Sequence, residues 1–135
     1  MKNLFFSAVF ILMIGNAFLF AEGKKDLDFA QVTAVKTVRQ GETWTFYVTV
    51  RHNDEGWKHY ANVWQVIDPE TETVLAERVL AHPHDNEQPF TRSLSGITFP
   101  EEISVVTVRA GCNLHGFGGA EIAVNLSTNG ENSDG

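Results

Sequence analysis

Strict alternation of apolar and polar side chains over residues 43–51 is the feature that most constrains the fold. Trp44, Phe46, Val48 and Val50 occupy every second position, with threonine and tyrosine between them. A period of two places successive side chains on opposite faces of a β-strand, and β-branched and aromatic residues favour that conformation. The segment is therefore predicted to be a strand with one face in a hydrophobic core.

The same pattern recurs along the chain in short pieces separated by turn residues, and no long helical periodicity or internal repeat is evident in the sequence. Strands are predicted over Phe29–Val38, Thr43–Arg51, His59–Asp68, Val74–Ala81, Phe90–Leu94, Ile103–Ala110 and Glu121–Leu126. Seven short strands within about a hundred residues predict an all-β fold, an antiparallel immunoglobulin-like β-sandwich.

The N-terminus has the pattern of a secretory signal. Lys2 is followed by an uncharged, mostly apolar run over residues 4–20, which predicts a signal peptide over 1–21 that is removed after Ala21 or Ala17. The alternative is an N-terminal membrane anchor, since the run reaches the lower limit of spanning length. Both alternatives predict an exported protein, periplasmic or secreted.

The remaining chain divides into three parts. Residues 22–28 form a polar leader, 29–126 the β-sandwich domain, and 127–135 a tail rich in Ser, Asn, Gly and Asp that is predicted to be disordered.

Charge limits the classes of partner. The sequence has 10 basic and 17 acidic residues, and loss of Lys2 with the signal leaves a formal charge of −8. Without a basic tract, nucleic acid is not an expected partner. Negative charge also repels anionic substrates unless basic residues surround the site. Arg51, Lys58 and Arg109 are sequence neighbours of the candidate site residues, and Lys58 is the candidate for a catalytic role.

Cys112 is the only cysteine. In an exported protein a lone thiol is free, buried, paired between chains or held by a metal. His115 follows three residues later, and His52 and His59 flank a loop further upstream. One thiolate with several imidazoles suits iron, and a set of four such ligands also suits copper or zinc. The metal ligands are therefore predicted to be His52, His59, Cys112 and His115.

Two further features surround these residues. The loop after Cys112 contains several glycines, which allow close backbone approach and leave amides free to point at a sulfur. His82-Pro83-His84 is a second histidine pair. It could supply an extra ligand or a separate weak site for zinc or copper, and the alternative is a polar loop with solvated imidazoles.

The residues that carry these features resemble the superoxide reductase family, which includes the iron-binding domain of desulfoferrodoxin. The family motif Cys-Asn-x-His-Gly is matched by Cys112-Asn113-Leu114-His115-Gly116. The stretch His52 to Tyr60, followed by Ala61-Asn62-Val63-Trp64, is similar to the family's histidine-containing stretch before an aromatic strand. The resemblance covers roughly residues 43–126 and implies an immunoglobulin-like sandwich, in agreement with the strand pattern.

The resemblance implies a mononuclear non-haem iron centre that reduces superoxide to hydrogen peroxide with electrons from an unidentified donor. Cys112 would be the axial thiolate, and His52, His59 and His115 the equatorial imidazoles. Asn113 would tune the sulfur through hydrogen bonds. The sequence also departs from the family, because no histidine precedes His52 and one family ligand therefore has no counterpart. His82 or His84 could restore a fifth ligand.

Two other functions remain open at this stage. One is a non-catalytic copper- or zinc-binding sandwich in the periplasm. The other is a partner domain, because the stretch from His82 to Pro100 is similar to a carrier subunit of sulfur oxidation. The expected partners are superoxide and an electron donor, with membrane contact only through an uncleaved N-terminus. The sequence is also compatible with a homo-oligomer.

Overall fold

The computed structural model describes residues 26–127. The predicted signal peptide, most of the leader and almost all of the tail lie outside these residues. Residues 26–127 contain eight β-strands: β1 Gln31–Gln40, β2 Thr43–Arg51, β3 Ala61–Ile67, β4 Val74–Val79, β5 Phe90–Ile97, β6 Val105–Cys112, β7 Gly116–Phe117 and β8 Ile122–Asn125. Over this part of the chain, no helix has the length and apolar character needed to cross a bilayer.

The strands form two antiparallel sheets. One sheet has the order β1-β2-β5, and the other has the order β4-β3-β6 with β7 and β8 both paired to β6. Every named strand pair is antiparallel. The prediction of an all-β antiparallel sandwich of about seven strands is confirmed.

Alternation in β2 gives the side chains the burial that the sequence predicts. Phe46, Val48 and Val50 are fully buried, whereas Tyr47 on the opposite face is 38% exposed. Trp64 from the second sheet is also fully buried, and both sheets contribute to one hydrophobic core. Burial of each large apolar side chain contributes roughly 1.5–3 kcal/mol, so this core holds the two sheets together.

The predicted strand over Thr43–Arg51 matches β2, whereas the other predicted ends differ by a few residues. The strand predicted over Phe90–Leu94 extends to Ile97 in β5, and the short strand β7 was not predicted. β7 pairs Gly116 with Cys112 across a tight hairpin, where Gly116 has a φ of 69°. Glycine adopts this left-handed conformation at no steric cost, so the residue is needed where the hairpin turns.

Strand register brings four chain segments to one rim of the sandwich. In the first sheet the start of β1 lies opposite the end of β2, with Gln31 paired to Arg51. In the second sheet the start of β3 lies opposite the end of β6, with Ala61 paired to Cys112. Residues 52–60 join β2 to β3 at this rim, so residues far apart in sequence become neighbours.

Candidate metal centre

Three of the four predicted ligands meet at this rim. The ligand atoms of His52, His59 and Cys112 all lie within 4.8 Å of one another, and the three residues are buried. A second group within the same distance is formed by Asp28, His59 and His115. His59 belongs to both groups, so all four predicted ligands surround one small region.

Asp54 orients the imidazole of His52. Its Oδ1 lies 2.6 Å from His52 Nδ1 and accepts from the amide of Ala61 at 3.0 Å, and its Oδ2 accepts from the amide of His84 at 2.7 Å. Burial alone would raise the pKa of the Asp54 carboxyl, but the hydrogen bonds from His52 and the two amides outweigh it and lower that pKa. An ionised carboxylate only accepts hydrogen bonds, so Nδ1 of His52 carries a proton and its Nε2 is left for another partner.

Glu55 orients the imidazole of His59 in the same way. Its Oε1 lies 2.8 Å from His59 Nδ1. This hydrogen bond raises the pKa of His59, and burial of the ring opposes it in part. Metal-binding histidines almost always pair their other ring nitrogen with a carboxylate, a carbonyl or water. Both imidazoles therefore have the orientation that is typical of metal ligands, with Nε2 as the nitrogen that no carboxylate engages.

The sulfur of Cys112 is stabilised from its own hairpin. The backbone amide of His115 donates to Cys112 Sγ at 3.1 Å. An amide hydrogen bond of this kind orients a metal-binding sulfur and tunes it as a ligand. The ring of His115 is exposed, and its centroid lies 4.9 Å from that of His59.

The backbone carbonyl oxygen of Asp28 lies where these ligand atoms converge. It is 3.2 Å from His52 Nε2, 3.4 Å from His59 Nε2 and 3.5 Å from Cys112 Sγ. Sequence analysis did not identify Asp28 as a site residue. A single acid in a polar leader has the pattern of a solvated residue, so no local signal could have marked it.

Two glycines allow the segment just after the leader to pack against the rim. A Cβ atom on Gly118 would lie 2.6 Å from the ring of Phe29, and one on Gly119 would overlap the carbonyl group of Ala30. The glycine loop was expected to allow close backbone approach. In the structure, Phe29 and Ala30 pack directly on the loop that follows the Cys112 hairpin.

Asn113 joins two of the rim segments. Its Oδ1 accepts from the amide of Tyr60 at 2.9 Å, and its Nδ2 donates to the carbonyl of Trp57 at 3.0 Å. Sequence analysis predicted that Asn113 tunes the sulfur of Cys112 through hydrogen bonds. In the structure, the backbone amide that donates to this sulfur is that of His115. Lys58, the sequence neighbour of His59 that was predicted to have a catalytic role, is exposed at the surface.

The second histidine pair lies apart from the ligand cluster. His84 is buried, stacks on Phe90 with ring centroids 3.9 Å apart, and accepts a hydrogen bond from Arg92 at Nε2. Burial and the positive charge of Arg92 lower the pKa of His84. His82 is exposed. Neither residue is part of a group of described side chains that could hold a metal, so the structure does not bring the expected fifth ligand from this pair.

No family model matches the chain. A protein of Halomicrobium mukohataei named "Putative lipoprotein" is 36% identical over an alignment of 110 residues, and the match covers 76% of this chain and 51% of that protein. The chain therefore spans about half the length of this relative. A crystal structure of a hypothetical protein from Pyrococcus horikoshii has a TM-score of 0.49 and 17% identity, and the match covers 72% of this chain and 88% of that one.

Fold and site together define the class of protein. Residues 26–127 form an antiparallel β-sandwich with a buried His/Cys group at one rim that could hold a metal ion.

Proposed function

We propose that this chain is an exported metalloprotein that binds one transition-metal ion through His52, His59, Cys112 and His115. The observation that carries the proposal is the matched orientation of two imidazoles. Each of them gives Nδ1 to a carboxylate and directs Nε2 at the Asp28 carbonyl, and the ligand atoms of both rings lie within 4.8 Å of the sulfur of Cys112. A site with this pairing is organised before a metal arrives, which reduces the cost of binding.

Sharing of His59 between the two groups supports a single ion. Nδ1 of His59 is engaged by Glu55, so only Nε2 remains for a metal. Because both groups of ligand atoms share this one nitrogen, all of them can bind the same ion. His115 and Cys112 also come from the same hairpin, and this fixes the spacing between an exposed ligand and a buried one.

We propose iron as the metal and superoxide as the substrate. A set of one thiolate and several imidazoles suits redox-active transition metals, and the motif Cys112–Gly116 resembles that of superoxide reductases. Iron bound in such a site supplies one electron, and superoxide with that electron and two protons gives hydrogen peroxide. An external donor returns the electron.

This chain's residues would contribute binding and local charge to that reaction. Lys58 is exposed beside His59, where its positive charge opposes the repulsion of an anion by a strongly acidic protein. Cys112 is buried, which keeps the thiolate from bulk water and from adventitious oxidation.

Export is supported by two independent features. The sequence starts with an apolar run typical of secretory signals, and the Halomicrobium relative is named as a lipoprotein. We propose that the sandwich domain works outside the cytoplasm, with either release of the domain or retention at the membrane.

The proposal is tested by metal analysis of the exported protein. We expect about one iron per chain by elemental analysis, and a visible thiolate charge-transfer band after oxidation. Cys112→Ser should abolish the band, and His52→Ala should reduce the bound iron. His82→Ala is the matched control and should keep both. Zinc or copper in place of iron would contradict the redox function, and absence of binding to any added transition metal would overturn the metalloprotein.

Activity is tested by rapid mixing of the reduced iron protein with superoxide. Reduction yields one peroxide per superoxide consumed and oxidises the protein. Dismutation yields half as much peroxide, together with oxygen, and leaves the protein's mean oxidation state unchanged. Consumption of superoxide with dismutation stoichiometry, or no consumption, would contradict the proposed reaction.

A further inference from the structure

Asp28 presents two kinds of oxygen to the candidate centre. Its backbone carbonyl lies between 3.2 and 3.5 Å from the ligand atoms of His52, His59 and Cys112. Its carboxylate lies within 4.8 Å of the ligand atoms of His59 and His115. Asp28 therefore reaches both of the ligand groups that share His59.

Three potential ligand atoms meet at the Asp28 carbonyl. The Nε2 atoms of His52 and His59 lie within hydrogen-bond distance of this oxygen, and the thiol of Cys112 donates to it. Nδ1 of each imidazole is paired with a carboxylate, so Nε2 is the ring nitrogen that a metal can use. A metal ion bound to these atoms would take the place of the protons that they share with the carbonyl.

We propose that the carboxylate of Asp28 is an additional ligand of the ion bound by His52, His59, Cys112 and His115. This inference rests on the proposed metal function. A thiolate and a carboxylate together neutralise a divalent cation, so the ion would bind without net charge between the buried His52, His59 and Cys112 and the exposed Asp28 and His115. An oxygen donor also favours divalent iron, zinc or manganese over copper(I), which prefers soft sulfur ligands.

The leader is held in place by contacts that do not involve a metal. The amide of Phe29 donates to the carbonyl of Asp26 at 3.0 Å, and the amide of Asn53 donates to the carbonyl of Leu27 at 3.3 Å. The side chain of Gln31 donates to the carbonyl of Asp26 and accepts from the amide of Ala120. Loss of the Asp28 carboxylate should therefore leave the leader in position and the fold intact.

The test compares zinc binding by the exported protein with that of Asp28→Asn and Glu42→Gln, each by competition with a chelator. Asp28→Asn removes the carboxylate and keeps the backbone carbonyl. We expect at least about tenfold weaker zinc binding, since even outer-shell partners of a metal commonly contribute that much. Glu42 lies in the turn between β1 and β2, at the opposite end of these strands from the rim, so Glu42→Gln should bind zinc as the wild type does.

Copper(I) provides a second readout. Because a soft ion gains little from a carboxylate, Asp28→Asn should lose much less affinity for copper(I) than for zinc. Asp28→Glu restores a carboxylate and should recover most of the zinc affinity. If Asp28→Asn no longer unfolds cooperatively in the absence of metal, Asp28→Glu is the deciding variant. Recovery of zinc affinity in Asp28→Glu supports a ligand role, and failure to recover it supports a structural role.

The outcomes separate the two proposals. If the wild type binds zinc and Asp28→Asn binds it with equal affinity, the role of Asp28 is overturned and the proposed metal function is unaffected. Asp28→Glu as weak as Asp28→Asn would also overturn it. Wild-type protein that binds neither zinc nor copper(I) would overturn both proposals.

Discussion

Two histidine pairs, separated by about thirty residues in sequence, have opposite surroundings in the fold. His52 and His59 each give Nδ1 to a carboxylate and direct Nε2 at the Asp28 carbonyl, within the group of ligand atoms that includes Cys112. His84 instead receives a hydrogen bond from Arg92 at Nε2 and stacks on Phe90. The pKa of His59 is raised by Glu55, whereas burial lowers that of His84.

The difference shows that partners, and not the presence of histidine, decide what an imidazole can do. A ring with a carboxylate on Nδ1 has a more basic Nε2 and a fixed direction, and both favour metal binding. A ring whose Nε2 accepts a hydrogen bond from a guanidinium has that nitrogen occupied by the donor. Asp54 joins the two pairs, since one oxygen contacts His52 and the other accepts from the amide of His84.

Among the variants that test the difference between the two histidine pairs, Asp54→Asn is expected to have the largest effect on metal binding. Asparagine has one acceptor oxygen where the Asp54 carboxylate has two, so His52 loses its fixed orientation. We expect zinc binding to weaken about 10- to 100-fold, the usual effect of losing a partner of a metal-bound histidine. Chelator competition measures this. Asp68→Asn is the control, because Asp68 caps a turn at the other end of β3. Equal losses in the two variants would contradict the role of Asp54.

A smaller effect is expected from Glu55→Gln. The Glu55 side chain is 61% exposed, and solvent-exposed pairs with histidine contribute little. We expect zinc binding roughly two- to fourfold weaker, in line with the fraction of a kcal/mol that such a pair contributes. Isothermal titration of both variants gives the comparison. A loss for Glu55→Gln that exceeds the loss for Asp54→Asn would reverse the proposed ranking of the two carboxylates.

The smallest effect on metal binding is expected from His84→Gln, which instead changes the response to acid. The groups that face His84 are Arg92, His82, Glu87 and Asp54, and burial with Arg92 lowers its pKa below the ordinary value of 6.5. The folded state therefore binds fewer protons at this residue than the unfolded state. Its contribution to stability is present above pH 6.5 and is lost as the pH falls through the lowered pKa.

Denaturant unfolding of the metal-free protein at several pH values measures this contribution. The slope that one such group adds is at most about 1.4 kcal/mol per pH unit, and His84→Gln should remove it while zinc affinity stays unchanged. Identical pH profiles for the variant and the wild type would contradict the lowered pKa of His84. A large loss of zinc binding in the variant would show that the two histidine pairs are not separate.

Sequence reasoning predicted much of the fold, and the reason lies in β2. Its alternation of Trp44, Phe46, Val48 and Val50 is strict because one face lies in the core and the other faces outward. Strand ends were less accurate, since the residues there make few core contacts. The two-residue strand β7 has too little pattern for prediction, because only its pairing with Gly111 and Cys112 defines it.

The site was predicted in part for a different physical reason. Cys112 and the histidines carry chemistry in their side chains, so residue type alone marks them as candidates. Asp28 and Asp54 acquire their positions from tertiary contacts, and an acid in a polar loop has no distinguishing local pattern. His84 was marked by its type, yet its packing on Phe90 directs it away from the ligands.

X-ray absorption of the zinc-loaded exported protein tests the central claim most directly, because it reports the atoms around the ion itself. The account predicts one sulfur neighbour at about 2.3 Å together with nitrogen or oxygen neighbours at about 2.0–2.2 Å, and loss of the sulfur signal in Cys112→Ser. A zinc environment made only of nitrogen and oxygen in the wild-type protein would contradict it.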